Sequence, residues 1–149
     1  MHAVGGCSVG YCANARAAWR RLVVRGRIML PPRALRVFDV NLRPPHDDLS
    51  LVRTLAGGAT LLKLNNEEAA RLVGEAPAPG REETHARTLA AETRCAIVVV
   101  TAGDRGAGLW RDGRWLWEPG RTVAVADTVG AGDAFLASLV AHLLNRTVS

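Results

Sequence analysis

Cys95-Ala-Ile-Val-Val-Val100 has six apolar side chains in a row and no polar one, so a strand built from it must be covered on both faces. Strands of that kind belong to parallel sheets with helices packed against them. The rest of the chain fits such a sheet. Leu35-Arg-Val-Phe-Asp-Val40, Thr60-Leu-Leu-Lys-Leu64 and Thr122-Val-Ala-Val-Ala126 read as further strands. Helical patterns alternate with them. His46–Ala56 is acidic in its first turn and closed by Gly57-Gly58, and Ala69–Val73 follows the second strand. Glu82–Thr93 places Arg and His on its wet face, and Phe135–Leu144 is apolar at 135, 136, 139, 140, 143 and 144. Such alternation predicts an α/β sandwich with a mostly parallel sheet. One segment breaks the pattern. Gly108–Arg111, Asp112-Gly113 and Arg114–Trp117 read as a hairpin with a two-residue type I′ turn, where Trp110, Trp115 and Trp117 pack together or cover a sheet edge.

Charge divides the chain into two regions. The 149 residues carry a formal net charge of +5, yet no acidic residue precedes Asp39, while seven arginines do. From residue 39 onward, 12 basic residues face 14 acidic ones, a net of −2, so the excess belongs to the first quarter. A nucleic-acid function inferred from the overall basicity is therefore misplaced. Residues 1–33, with Gly5, Gly6, Gly10 and Pro31-Pro32, match no regular element and form a basic segment separate from a domain over 34–149. An organellar transit peptide or a nucleic-acid-binding arm are other readings of that composition. No run of 18 apolar residues occurs. Three scattered cysteines make a disulfide framework a poor reading, and a reducing, cytoplasmic setting is expected.

The chemistry gathers where Thr122–Ala126 gives way to the last helix. Between them lies Asp127-Thr-Val-Gly-Ala-Gly-Asp133. A helix beginning here points free N–H groups and its positive dipole end into the loop, and Gly130 and Gly132 let an anion approach that backbone. Asp133 adds a carboxylate beside the anion hole, which suits a base that activates a hydroxyl for phosphoryl transfer. A dinucleotide fingerprint would need glycine where Phe135 stands, and a Walker A loop needs Gly-Lys-Ser/Thr, whereas the only lysine is Lys63.

Three further segments follow strands and carry polar groups. Asp39-Val-Asn-Leu-Arg43 lies at a strand's carboxyl end, where open α/β sheets hold ligands, and alternation puts Asp39, Asn41 and Arg43 on one side. A self-satisfied strand end with a solvated Arg43 is the other reading. Asn65-Asn-Glu-Glu68 reads by itself as a helix capping box. Thr101-Ala-Gly103-Asp-Arg-Gly106 reads by itself as a plain turn between strands.

Taken in order, these segments resemble the PfkB (ribokinase-like) carbohydrate kinases. Asp127–Phe135 is similar to that family's C-terminal signature, with Ser138 where Ala or Gly is usual. Asp39–Arg43 followed by Pro44 resembles its fructokinase-like and keto-deoxygluconate-kinase-like members. The resemblance covers about residues 35–145. It implies a ribokinase-like three-layer α/β/α sandwich with an inserted hairpin, incomplete on its N-terminal side. It also implies ATP-dependent phosphorylation of a sugar hydroxyl, fructose or a keto-sugar acid first, with Asp133 as base and Gly130, Ala131, Gly132 and Asp133 as the anion hole. Asp39, Asn41 and Arg43 would lie near acceptor and phosphate. Thr101, Gly103 and Gly106 would meet the nucleotide, and Asn65 and Glu68 would hold Mg²⁺ through water. The sugar-gripping half and lid of the family have no counterpart in residues 1–33. The other expectation is therefore an inactive kinase fragment or partner-binding module, self-associating through an exposed sheet edge.

Overall fold

The computed structural model describes residues 7–10, 34–42 and 48–120, together with helical positions 135, 137–139, 141 and 142. Its strands are β1 (Cys7–Gly10), β2 (Arg36–Asp39), β3 (Leu61–Asn65), β4 (Ile97–Thr101), β5 (Gly106–Arg111) and β6 (Arg114–Pro119). They form one six-stranded sheet in sequence order. β1 to β4 are parallel, and β5 and β6 add to β4 as antiparallel strands. The helices are α1 (Leu49–Ala56), α2 (Asn66–Val73) and α3 (Glu82–Thr93).

Alternation along the central strands sorts their side chains into two layers. Phe38, Val40, Leu62, Leu64, Val98 and Val100 face α1, α2 and α3, where they meet Leu51, Val52, Leu55, Ala69, Leu72, Ala86 and Leu89. The opposite face presents Val37, Leu61, Ile97 and Val99, with Leu35, Leu109 and Leu139 packed against them. The crossovers from β2 to β3 and from β3 to β4 step the same way across the sheet, so their helices share a face. The helical stretch containing Leu139 lies on the other. Four buried residues in a row, Ile97 to Val100, are the structural counterpart of the unbroken apolar run.

Local signals set the helix ends. Asp48 caps α1, its carboxylate accepting the Leu51 N–H at 3.1 Å, so the acid lies at the cap and the first turn holds none. Asn65 and Glu68 form a reciprocal capping box at α2, and Gly74 ends that helix with φ 80°. The β5–β6 turn has positive φ at both Asp112 (51°) and Gly113 (76°), as a type I′ hairpin requires. Trp115 and Trp117 stack with ring centroids 6.2 Å apart, and Trp110 and Trp115 pack on the helix-side core.

The structure adds one element and corrects one expectation. Residues 7–10, within the basic segment of unclear structure, form β1, paired with β2 from Cys7↔Arg36 to Gly10↔Asp39. Backbone groups close that pairing, and Cys-Ser-Val-Gly offers only one β-branched residue to announce it. His85, placed on the wet face of α3, is buried at 2% exposure. It stands four residues before Leu89 on the buried stripe, and its Nε2 lies 2.9 Å from Glu75 Oε2, which satisfies the ring. The strand expected at 122–126 and the loop expected at 127–133 lie outside the described residues.

Layering of this kind makes the centre of β3 far more sensitive than the outer strand. Leu62 is fully buried, while Leu116 on β6 is 66% exposed. Leu62→Ala should cost about 2–5 kcal/mol and Leu116→Ala no more than about 0.5 kcal/mol, measured by urea unfolding. Equal losses would contradict the two-layer core.

Candidate functional site at the carboxyl ends of the parallel strands

The apolar layer opposite α1–α3 ends abruptly. One step past Val37, Leu61 and Val99, the same alternation brings Asp39, Lys63 and Thr101 to that face, and Asn65 lies one step further on β3. In register, Asp39 is paired with Lys63, and Asn65 with Thr101. The carboxyl ends of three neighbouring strands thus present polar groups together, on the face that carries Leu139. Ligands of open α/β sheets bind at such ends.

Lys63 Nζ lies 2.9 Å from both oxygens of Asp39, and the two side chains are 11% and 16% exposed. In the sequence alone, Lys63 serves only to exclude a Walker loop. The signal for its pairing is a lone lysine within Leu61-Leu-Lys-Leu64, with an aspartate at the end of the adjoining strand. Asp39 is expected near substrate, and the structure places its carboxylate in this ion pair. Asn41 is exposed just beyond the strand, and Arg43 lies outside the described residues.

Both readings of Asn65 and Glu68 meet in one arrangement. Asn65 Oδ1 accepts the Glu68 N–H at 2.8 Å, and Glu68 Oε2 accepts the Asn65 N–H at 2.9 Å. Glu68 Oε1 reaches further and accepts the Leu42 N–H at 2.9 Å, across 26 residues of chain. The carboxylate is 6% exposed. Burial pushes its pKa up, opposed by the Asn65 and Leu42 amides, which favour the charged form, while Asp39 nearby adds to the upward push. Each oxygen is engaged by one amide, and among the described residues no three His, Cys, Asp or Glu side chains gather as a ligand set. The donor set therefore fits Mg²⁺ held through its own waters at the remaining lone pairs, not a direct cage.

The Thr101–Gly106 turn is fixed from beneath. Thr101 Oγ1 donates to the Leu64 carbonyl at 3.4 Å, and the Ala102 N–H donates to the Gly106 carbonyl at 2.8 Å. Gly103 has φ 61°, and nothing lies within 4 Å of where a Cβ would stand, so its outer side is open to an approaching group. Gly106 differs. A Cβ there would collide with the Glu118 carbonyl and Pro119 Cα, so the closure of β5 on β6 accounts for this glycine. Arg105 in the turn forms an ion pair with Glu82 at the start of α3, its guanidinium 2.6 Å from Oε1. Burial acts to raise the Glu82 pKa, but its own backbone N–H and Arg105 hold it below the ordinary carboxylate range. Gly130, Ala131, Gly132 and Asp133 lie outside the described residues. The helix after them carries Leu139, which seats it on the polar-ended face.

The model of the pfkB family of carbohydrate kinases matches residues 32–147. The chain belongs to that family. A fructokinase from Vibrio cholerae O395, solved with fructose, ADP and calcium, superposes with a TM-score of 0.74 at 27% identity over 89% of this chain. An aminoimidazole riboside kinase from Salmonella enterica superposes with a TM-score of 0.70 at 25% identity over 87%. The bifunctional protein HldE of Azorhizobium caulinodans is 37% identical over 87 residues, 58% of this chain. The pfkB-family chain spans 44% of the length of either solved kinase and 18% of that of HldE. The architecture is thus ribokinase-like and incomplete relative to those neighbours.

The Asp39–Lys63 pair makes this end of the sheet costly to alter one residue at a time. Lys63→Met leaves a mostly buried carboxylate without its cation and should cost about 3–5 kcal/mol, whereas adding Asp39→Leu should recover most of the loss. A double-mutant cycle by urea unfolding checks this. Additive losses would contradict the pairing.

Proposed function

We propose that this chain is the phosphate-handling part of a kinase that transfers the terminal phosphoryl group of ATP to a sugar hydroxyl. The observation that carries the reading is the convergence of Asp39, Lys63, Asn65 and Thr101 at the carboxyl ends of β2, β3 and β4. They share a face with Leu139, in the helical stretch that follows residues 130–133 in sequence. Family membership supports the reaction class, and the fructose-bound neighbour supports a ketose as acceptor.

Transfer of this kind depends on position and electrostatics more than on covalent chemistry. Asp133 takes the proton from the acceptor hydroxyl as its oxygen attacks the terminal phosphorus, and the bond from that phosphorus to the bridging oxygen breaks, with ADP as the leaving group. The N–H groups of Ala131, Gly132 and Asp133 stabilise the charge that gathers on the transferring phosphoryl oxygens. Arg43 clamps the same oxygens from the β2 side. Thr101 and the open side of Gly103 receive the nucleotide. Asn65 and Glu68 would hold Mg²⁺ through water, and the bound ion would supply neutralisation of phosphate charge. Fructose or a keto-sugar acid is the acceptor, since Asp39-Val-Asn-Leu-Arg43 matches that branch.

Sugar-dependent ADP release with MgATP tests the reading. Asp133→Asn should lower the rate about 10²–10⁴-fold while leaving the fold intact. A variant keeping more than a tenth of the parent rate would remove Asp133 from the mechanism. Preference for ribose or a nucleoside over fructose would overturn the acceptor assignment.

A further inference from the structure

We infer that Glu68 is a positioning residue that fixes the acceptor-side segment Asp39–Leu42 through the Leu42 N–H. The inference rests on the kinase reading only in taking Asn41 to face the phosphate acceptor. β2 ends at Asp39, and past the Val40 N–H the segment must be held by something other than the strand ladder. Three contacts are among those that anchor residues 39–42. The Asp39 carboxylate is gripped by Lys63 Nζ, the Val40 N–H donates to the Lys63 carbonyl at 2.8 Å, and the Leu42 N–H donates to Glu68 Oε1 at 2.9 Å. Between the last two stands Asn41, exposed, while Val40 is buried and Leu42 packs against the core. Asn41 is thereby held outward by its neighbours on both sides.

The choice of Glu at position 68 stems from this geometry. A capping box needs only one carboxylate oxygen, the one that accepts the Asn65 N–H. The second oxygen goes to Leu42, and reaching both amides takes the full length of a glutamate. Glutamine keeps the length but offers one acceptor and turns a donor toward the other amide. Aspartate keeps the charge but is one methylene shorter. A metal-holding role depends on the charge, so aspartate should largely preserve it. A positioning role depends on two acceptors at full reach, so both substitutions should break it. Both roles can share the carboxylate, but only the second moves the Leu42 amide.

Amide exchange resolved by NMR on the chain, without ligand, tests this and needs no turnover. In Glu68→Gln and Glu68→Asp, exchange at Leu42 should rise about 10- to 100-fold relative to any change at Val98–Val100 of β4. Unchanged Leu42 exchange would overturn the inference, as would a rise shared equally with β4. Where the parent turns over sugar, Glu68→Gln should raise KM for the sugar more than KM for MgATP. An effect confined to MgATP would also overturn it, assigning Glu68 to the metal alone. A parent with no sugar-dependent turnover would count against the kinase reading, and the exchange result would still decide the role of Glu68.

Discussion

Burial of β2, β3 and β4 on both faces confines their polar chemistry to the strand ends. Val37, Phe38, Leu61, Leu62 and Ile97–Val100 occupy positions where a charge would have no water and no partner. Polar side chains enter only where the strands leave the core, and the parallel direction brings those exits to one edge. Asp39, Lys63, Asn65 and Thr101 are neighbours for that reason, although they are spread over 63 positions of sequence from 39 to 101.

Confinement has a cost that the structure offsets with paired contacts. Lys63 and Asp39 neutralise each other while still largely buried, and such a pair contributes less to net stability than its removal by halves would suggest. Glu68 keeps its oxygens on two backbone amides, and burial still leaves its pKa raised. Glu82 and Arg105 repeat the pattern one strand further on, tying the start of α3 to the turn after β4. The strand-end segments are therefore attached to one another through β3 and its helix, and the proposed phosphoryl transfer depends on groups held in fixed positions of this kind.

Features set within a few residues were legible in the sequence. The limits of α3, the Asn65–Glu68 capping box and the type I′ turn at Asp112-Gly113 each arise from short-range backbone demands. Features closed across long stretches of chain were not. β1 pairs with β2 some 29 residues later, through backbone groups that any residue carries. The Asp39–Lys63 pair and the Leu42–Glu68 bond join residues 24 and 26 positions apart. His85 turned inward because Glu75, ten residues earlier, was there to receive it. The order of motifs along the chain supplied the family, and pairing between strands supplied the arrangement.

The central claim is that the carboxyl ends of β3 and β4, with the loop before the last helix, form one phosphate-binding edge. Titrating MgADP into the ¹⁵N-labelled chain and monitoring its amide resonances tests this most directly. The account predicts saturable shifts concentrated at Asn65, Glu68, Thr101, Gly103 and residues 130–133, with Leu116 and Trp117 on β6 unmoved. Shifts centred on β6, or none at millimolar nucleotide, would contradict it.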